Sequence, residues 1–204
     1  MTGRFIAFEG GEAAGKSTQA ARLADRLGAV LTREPGGTRT GEHIRSLVLD
    51  PRTGVLDARA EALLMAADRA HHVASVVRPA IEDDRHVVTD RYLYSSVAYQ
   101  GHGRGLGAAQ IRDLSLWATG DLEPDLVVFL DVAVDVARER VAESTPDRLE
   151  SEDHDFHQRV RDGFREQAAA DPERWLVLDG AVPVDELAAA IWRVVAPLVG
   201  EPSP

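Results

Sequence analysis

The apolar residues of this chain fall into short unbroken runs separated by stretches with helical periodicity. Five runs predict strands: residues 4–9, 29–33, 85–90, 125–132 and 175–180. Residues 4–9 suit a strand buried on both faces of a parallel sheet, and 85–90 and 125–132 are predicted to be buried as well. Between them, apolar residues recur every three or four positions, which predicts helices over 41–50, over 57–82 and from Val184 onwards. Alternating strands and helices predict an α/β fold, a five-stranded parallel β-sheet with helices on both faces.

No repeat, linker or change of composition divides the chain, so we expect residues 1–204 to form one domain. Two stretches, 101–107 and 143–155, are polar and rich in turn-forming residues, and we expect them to be flexible. The chain enters an apolar strand at once, and no apolar run approaches the roughly 18 residues of a membrane helix. These features predict a cytoplasmic protein without a signal peptide and without a membrane segment.

The charge of the chain limits its partners. It carries 23 lysine and arginine residues against 34 aspartate and glutamate residues, a formal net charge of −11. Such a balance argues against nucleic-acid binding, which needs a positive surface. It allows a small phosphorylated substrate, because a few arginines can converge on one cleft. The chain has no cysteine, which excludes disulfides and cysteine-bound zinc, and its seven histidines show no metal-ligand spacing.

A glycine-rich loop follows the first predicted strand. Residues 10–17 read GGEAAGKS and match the pattern Gly-x-x-x-x-Gly-Lys-Ser of a phosphate-binding loop. Lys16 is the only lysine of the chain, and arginine is a poor substitute here because a forked guanidinium differs in shape from a compact ammonium. We expect Lys16 to bind the β- and γ-phosphates of ATP, and the Ser17 hydroxyl to bind Mg²⁺. The expected ATP site comprises Gly10, Gly11, Glu12, Ala13, Ala14, Gly15, Lys16, Ser17 and Thr18.

The loop alone does not decide the function, because switches, motors and small-molecule kinases all carry it. A GTPase switch also needs an Asn/Thr-Lys-x-Asp motif, which this chain cannot build without a second lysine. A small kinase needs an arginine-rich acceptor site, and three segments supply arginines: residues 32–49, 61–72 and 89–105. A kinase and a nucleotide-binding switch or ATPase therefore remain the two classes to compare.

Together the three segments resemble the thymidylate kinase family. The family pattern Thr-Arg-Glu-Pro-Gly-Gly followed by Gly-Glu-x-Ile-Arg reads here as TREPGG and GEHIR, and its signature reads DRYLYSSVAYQG from Asp90, complete at every specified position. The match runs from about residue 4 to residue 168. The resemblance implies the phosphate-loop NTPase fold, ATP-dependent conversion of dTMP to dTDP, and a homodimer. The alternatives are a kinase of another nucleotide or deoxynucleoside, and the non-kinase switch or ATPase.

The resemblance also implies an acceptor site. Three arginines would bind the 5′-phosphate, because guanidinium pairs bidentately with phosphate, and three polar side chains would read the thymine edge. In that order they are Arg33, Arg45 and Arg91, then Arg69, Ser96 and Gln100. Tyr99 would pack near the deoxyribose and exclude a 2′-hydroxyl. Met65 stands where the family usually stacks an aromatic ring on thymine, and its thioether can pack against the base.

Acidic residues at the predicted strand ends complete the site. Glu9 and Glu34 would orient magnesium-bound water or the sugar 3′-hydroxyl, and Asp90 would join Ser17 in the magnesium shell. Some family members carry an arginine in the phosphate loop, where this chain has Ala13 and Ala14. A mobile lid over roughly residues 141–153 would then supply the charge, through Arg140 and Arg148. The expected catalytic set is Lys16, Arg91, Arg140, Arg148 and Glu9.

Overall fold

The computed structural model describes residues 3–141 and 145–201, and its strands form one parallel sheet. The strands are β1 (Phe5–Glu9), β2 (Val30–Arg33), β3 (Val87–Asp90), β4 (Leu126–Asp131) and β5 (Trp175–Asp179). Their order across the sheet is β2-β3-β1-β4-β5, and every neighbouring pair is parallel. The predicted fold class is therefore confirmed, and each strand lies within its predicted apolar run.

The central strand β1 shows why these runs lack alternation. Successive side chains of a strand point to opposite faces, and both faces of this sheet are covered. Phe5 and Ala7 enter one core, in which Phe129 and Phe164 stack with their ring centroids 5.4 Å apart. Ile6 and Phe8 enter the other core, on the opposite face. Because both faces of β1 are apolar, its one polar side chain, Glu9, lies at the end of the strand.

Helices pack on the two faces. They are α1 (Lys16–Leu27), α2 (Arg39–Leu49), α3 (Ala58–His72), α4 (Arg78–Glu82), α5 (Leu93–Ser96), α6 (Ala108–Thr119), α7 (Val134–Val141), α8 (His154–Ala170) and α9 (Val184–Leu198). A short 3₁₀ turn, Pro51–Thr53, separates α2 from α3, and a π-helical turn, Val73–Val77, joins α3 to α4. The Asp57 carboxylate caps α3 by accepting from Arg59 N and Ala60 N. The helix predicted over 57–82 is thus a single helical run with a wider turn inside it.

The flexible stretch predicted at 101–107 is partly wrong. A π-helical segment, Val97–Gly103, continues α5 into it, and Gly101 and Gly103 are buried. A β-carbon at Gly103 would lie only 2.7 Å from the ring of Phe156, so this glycine allows close packing and does not make a turn. In the other polar stretch, residues 143 and 144 lie outside the described residues, and 145–153 contain no regular helix or strand. None of the helices in the described ranges is long and apolar enough to cross a membrane.

Candidate active site

The phosphate loop connects β1 to α1 at the carboxyl end of the sheet. Gly10, Ala13 and Gly15 have left-handed φ values of 143°, 50° and 87°, and a β-carbon at Gly10 would lie 2.5 Å from the Leu130 carbonyl oxygen. Lys16 is buried, and its Nζ donates to the Gly11 carbonyl oxygen at 2.5 Å, across the loop. Burial, followed by the charge of Arg91, lowers the Lys16 pKa. The loop therefore closes around its own lysine, at the positive end of α1.

Ser17 and Asp90 meet beside this loop. The Ser17 hydroxyl donates to Asp90 Oδ2 at 2.5 Å, and Asp90 Oδ1 is buried without a hydrogen-bond partner among the described residues. Hydroxyl and carboxylate oxygens are the hard donors that Mg²⁺ prefers. No group of three or more histidine, cysteine, aspartate or glutamate residues in the described ranges could hold a metal by itself. The pair fits a magnesium ion that takes its other ligands from phosphates and water.

Arg91 connects the phosphate loop to the segment after β3. Its Nη1 donates to the Gly10 carbonyl oxygen at 2.8 Å and to Ser95 Oγ at 3.1 Å. Its Nη2 donates to Glu12 Oε1 at 2.6 Å and to the Tyr99 hydroxyl at 3.1 Å. The Tyr99 hydroxyl in turn donates to the same Glu12 oxygen at 2.6 Å. One guanidinium thus touches the backbone of the phosphate loop and a wall of the neighbouring cavity.

Glu12 holds a negative charge inside the phosphate loop. Burial would raise its pKa, but the charges of Arg91 and Lys16 outweigh burial and lower the pKa to about 2. The carboxylate therefore stays ionised and offsets the charges of Arg91 and Lys16. The sequence predicts Glu12 only as part of the loop. Its pairing with Arg91 joins positions 79 residues apart and has no local signal.

Glu9 is fully buried beneath the same segment. Its Oε1 accepts from Tyr92 N at 2.9 Å and Ser95 N at 3.2 Å, and its Oε2 accepts from Ser95 Oγ at 2.5 Å. Burial raises the pKa of Glu9 to about 7, against the Ser95 hydrogen bond and the charge of Arg91. These contacts hold the turn that carries Arg91, whose φ of 70° is unusual for a side chain with a β-carbon. A role for Glu9 beside magnesium stays a prediction.

A cavity lies between the phosphate loop, α2, α3 and the segment after β3. It brings together eight of the predicted acceptor residues: Glu34, Arg45, Met65, Arg69, Arg91, Ser96, Tyr99 and Gln100. Arg45 donates from Nη1 to the Pro35 carbonyl oxygen at 3.0 Å. Arg33 does not line this cavity. It is half exposed and pairs with Glu42 on the protein surface at 2.7 Å.

Arg69 is buried at the centre of a polar network under the cavity. Its Nε donates to Glu34 Oε2 at 2.8 Å, and its Nη2 donates to Ser96 Oγ at 3.0 Å. The other Glu34 oxygen lies 2.8 Å from His72 Nδ1. Both Glu34 oxygens are therefore occupied by protein groups, and a role in orienting water or sugar stays a prediction. The sequence places Glu34 correctly at a strand end but does not indicate these partners.

Two further acidic residues of α3 reach the site without having been predicted. Asp68 lines the cavity, its Oδ1 accepts from Gly36 N at 3.2 Å, and burial together with the charge of Glu34 raises its pKa to about 6. Glu61 lies beside Gln100, with 2.9 Å between Glu61 Oε1 and Gln100 Nε2. Glu61 is spaced by eight positions from Arg69 and by seven from Asp68, and residues at those spacings align along a helix. That spacing was visible in the sequence.

The two predicted lid arginines lie in different places. Arg140 Nη1 donates to the carbonyl oxygens of Ala13 and Gly180 at 3.0 Å and 3.1 Å, so Arg140 lies on the phosphate loop. Arg148 Nε donates to the Val48 carbonyl oxygen at 2.7 Å, and its Nη2 pairs with Glu61. Residues 142–144 of the predicted lid lie outside the described ranges. Arg140 is thus placed beside the phosphate loop, and Arg148 beside α2 and α3.

A phosphate loop that shares one arginine with a buried, arginine-lined cavity, on a five-stranded parallel sheet, defines the class of phosphate-loop nucleotide kinases. A family model described as thymidylate kinase matches residues 8–191. The chain therefore belongs to the thymidylate kinase family.

Curated relatives agree over nearly the whole length. The thymidylate kinase of Clavibacter michiganensis subsp. michiganensis is 56% identical over 198 residues, covering 94% of this chain and 93% of the relative. That of Leifsonia xyli subsp. xyli is 54% identical over 196 residues, covering 93% and 92%. That of Deinococcus radiodurans is 48% identical over 200 residues, covering 95% and 97%. Each of these three matches covers more than nine-tenths of both chains.

Proposed function

We propose that this chain transfers the γ-phosphoryl group of ATP to dTMP, giving ADP and dTDP, with Mg²⁺ as cofactor. Family membership supports ATP as the donor and dTMP as the acceptor. The observation that carries the residue assignment is the position of Arg91, which contacts Gly10 of the phosphate loop and Tyr99 of the acceptor cavity. With ATP on the phosphate loop and dTMP in the cavity, the guanidinium of Arg91 would lie between the two nucleotides. A regulatory ATPase would have no use for this second, buried cavity.

The positive side chains of the site determine where the phosphates of the two nucleotides bind. Lys16 and the backbone N–H groups of the loop bind the β- and γ-phosphates of ATP. Arg45 and Arg91 face the acceptor cavity and bind the 5′-phosphate of dTMP, where guanidinium replaces the solvation lost on burial. An oxygen of that phosphate attacks the γ-phosphorus, and the bond to the bridging oxygen of ADP breaks. The protein supplies alignment and positive charge and forms no covalent bond.

Magnesium is assigned to Ser17 and Asp90. Their oxygens lie 2.5 Å apart, and Asp90 Oδ1 has no other partner in the described part of the chain. When bound, the ion neutralises charge on the β- and γ-phosphates. Ser17 and Asp90 are the residues that would hold the ion.

The base end of the cavity is assigned to Arg69, Ser96, Gln100 and Met65. Arg69 holds Ser96 through Nη2 at 3.0 Å, which fixes both side chains in one orientation. Met65 lies partly buried against the core and lines the cavity, where its thioether can contact the flat face of thymine. The Tyr99 ring is held by the bonds of its hydroxyl to Glu12 and Arg91, and it closes the sugar position against a 2′-hydroxyl.

The direct test of this function is coupled ADP release with a panel of acceptors. The purified chain is mixed with ATP and Mg²⁺ and, in turn, dTMP, dUMP, UMP, dCMP, AMP and thymidine. Turnover with dTMP well above the others is expected, as is loss of turnover when EDTA replaces Mg²⁺. Thymidine lacks the phosphate that Arg45 and Arg91 bind, so it should release no ADP. Equal background release with every acceptor would reject the kinase and favour an ATPase.

The chain is further proposed to form a homodimer through α3 and α6. These helices pack against each other, yet Leu63 on α3 is 58% exposed and Trp117 on α6 is 80% exposed. Large exposed apolar side chains on adjacent helices are typical of a protein–protein interface.

Sedimentation equilibrium is expected to give a mass near twice 22.1 kDa, and Trp117→Glu should lower it towards the monomer. Val184 is 46% exposed on α9, so Val184→Glu is the matched control and should leave the mass unchanged. A monomeric wild-type chain at micromolar concentration would contradict this proposal.

A further inference from the structure

Glu61 is a fully buried carboxylate that the reaction itself does not use. It accepts hydrogen bonds from three side chains, two from the segment around Val97–Gly103 and one from the distant stretch after α7. Gln100 Nε2 lies 2.9 Å from Oε1, Arg104 Nη2 lies 3.1 Å from Oε2, and Arg148 Nη2 also pairs with Oε2. A buried carboxylate needs such partners, because an unpaired charge in the interior is costly.

The two arginines decide the charge state of Glu61. Burial by itself would raise its pKa, but hydrogen bonds from Arg104, Gln100 and Arg148 outweigh burial and lower the pKa. The group is therefore a carboxylate, and a carboxylate accepts hydrogen bonds without donating any. Whatever polar group faces it must present an N–H or O–H.

This requirement fixes the amide of Gln100. An amide can present either its NH₂ or its oxygen to a neighbour, and the partner decides which. Facing Glu61, Gln100 must present NH₂, which leaves its Oε1 for the other direction. Gln100 is fully buried and lines the acceptor cavity, and its Oε1 has no hydrogen-bond partner among the described residues. A buried unpaired acceptor at the wall of a cavity indicates a ligand that donates.

We propose that Glu61 is a positioning residue for base selectivity, which holds the Gln100 amide so that its oxygen is offered to the base edge of the acceptor. This inference rests on the proposed function. Thymine carries a ring N–H between two carbonyl groups, and that N–H can donate to Gln100 Oε1. Cytosine carries an unprotonated nitrogen at the same place, which would oppose its lone pair to the amide oxygen. Glu61 thus selects against cytosine without touching the base.

The matched pair of acceptors for the test is dTMP and 5-methyl-dCMP, which differ only at the edge that Gln100 reads. Glu61→Gln keeps the shape of residue 61 but can donate as well as accept, so either orientation of Gln100 becomes possible. The ratio of kcat/KM for dTMP over 5-methyl-dCMP is expected to fall at least about 10-fold, with kcat for saturating dTMP within about threefold of wild type. Arg69 stays in place, so the ratio should remain above one.

Two further variants separate positioning from general damage. Glu123 is a partly buried carboxylate that also pairs with two arginines, Arg112 and Arg174, and it does not line the acceptor cavity, so Glu123→Gln should leave the ratio unchanged. The double variant Glu61→Gln with Gln100→Glu moves the carboxylate to position 100 and again offers only an acceptor to the base. The double variant should restore the wild-type ratio of kcat/KM for the two acceptors. If Glu61→Gln alone does not fold, the double variant provides the test.

An unchanged ratio in Glu61→Gln, or a double variant that fails to discriminate, would overturn the proposal. A purely structural role for Glu61 predicts an equal loss of kcat/KM for both acceptors, and therefore no change in the ratio. Wild-type turnover of dTMP is measured first. Its absence would reject the proposed function and leave the orientation of Gln100 to be tested by the binding of dTMP and 5-methyl-dCMP to the same variants in a calorimeter.

Discussion

Replacing Lys16 by methionine is expected to lower kcat at least about 10³-fold, because the variant keeps an unbranched side chain but loses the positive charge at the transferred phosphoryl group. The geometry makes this loss hard to compensate. Lys16 is the one lysine of the chain, it is only 6% exposed, and its Nζ already points across the loop to the Gly11 carbonyl oxygen at 2.5 Å. No neighbouring amine can replace it. Steady-state kinetics with saturating ATP and dTMP measure the effect.

The control for this variant is its stability. Burial lowers the pKa of Lys16, which means that holding the ammonium in the folded loop costs free energy. Removing the charge should therefore leave the thermal midpoint of unfolding equal to that of wild type or raise it. Lys16→Arg keeps a charge but places a wider fork in the loop, and it should recover little of the lost rate. A kcat for Lys16→Met within about 10-fold of wild type would contradict the assignment of Lys16 to the phosphates.

Arg140→Ala is expected to lower kcat by about 10²-fold or more, with little change in the KM for dTMP. Arg140 contacts the carbonyl oxygens of Ala13 and Gly180, beside the position assigned to the γ-phosphate, and this loop carries alanine where an arginine could otherwise supply charge. A guanidinium at a transferred phosphoryl group acts mainly in the transition state, so its removal appears in kcat. The same steady-state assay, with each substrate varied in turn, resolves the two constants.

Arg148→Ala is the matched comparison, and it should show the opposite pattern. Arg148 pairs with Glu61 and with the Val48 carbonyl oxygen on the acceptor side, so its loss should raise the KM for dTMP and leave kcat within a few-fold. It should also lower the free energy of unfolding by about 1–3 kcal/mol, because Glu61 then loses one of its two arginine partners and keeps Arg104. If kcat fell strongly in Arg148→Ala but not in Arg140→Ala, Arg148 and not Arg140 would be the arginine that acts on the transferred phosphoryl group.

Most of the architecture could be predicted from the sequence because the central strands β1 and β4 are buried on both faces and read as apolar runs. The edge strands β2 and β5 contain exposed side chains, and the order of the strands across the sheet was not predicted. Glycines were harder to interpret. Gly10 and Gly15 lie in the predicted loop, whereas Gly103 belongs to a stretch predicted to be flexible. It lies in a helix, where the absence of a β-carbon lets Phe156 approach.

The partners within the site could not be predicted in the same way. Glu34 and Arg69 pair across 35 residues, and Glu9 and Ser95 across 86, so no local pattern connects them. The sequence identifies carboxylates and arginines at strand ends but not which of them neutralise each other. Arg33 is an example of what the sequence does not indicate. It ends β2 as predicted, but it pairs with Glu42 on the surface and does not line the cavity that Arg45 lines. Burial, which depends on the whole fold, decides between such neighbours.

The isolation of Lys16 has a consequence for chemical modification. Apart from the amine of the N-terminus, the chain offers acylating reagents a single amine, and that amine lies inside the phosphate loop. Because burial lowers its pKa, a larger fraction of it is uncharged and nucleophilic at neutral pH than for a lysine in water. Acetylation or carbamylation of lysine would therefore affect only the ATP site. Protection of Lys16 from acylation would therefore measure how much of the protein has ATP bound.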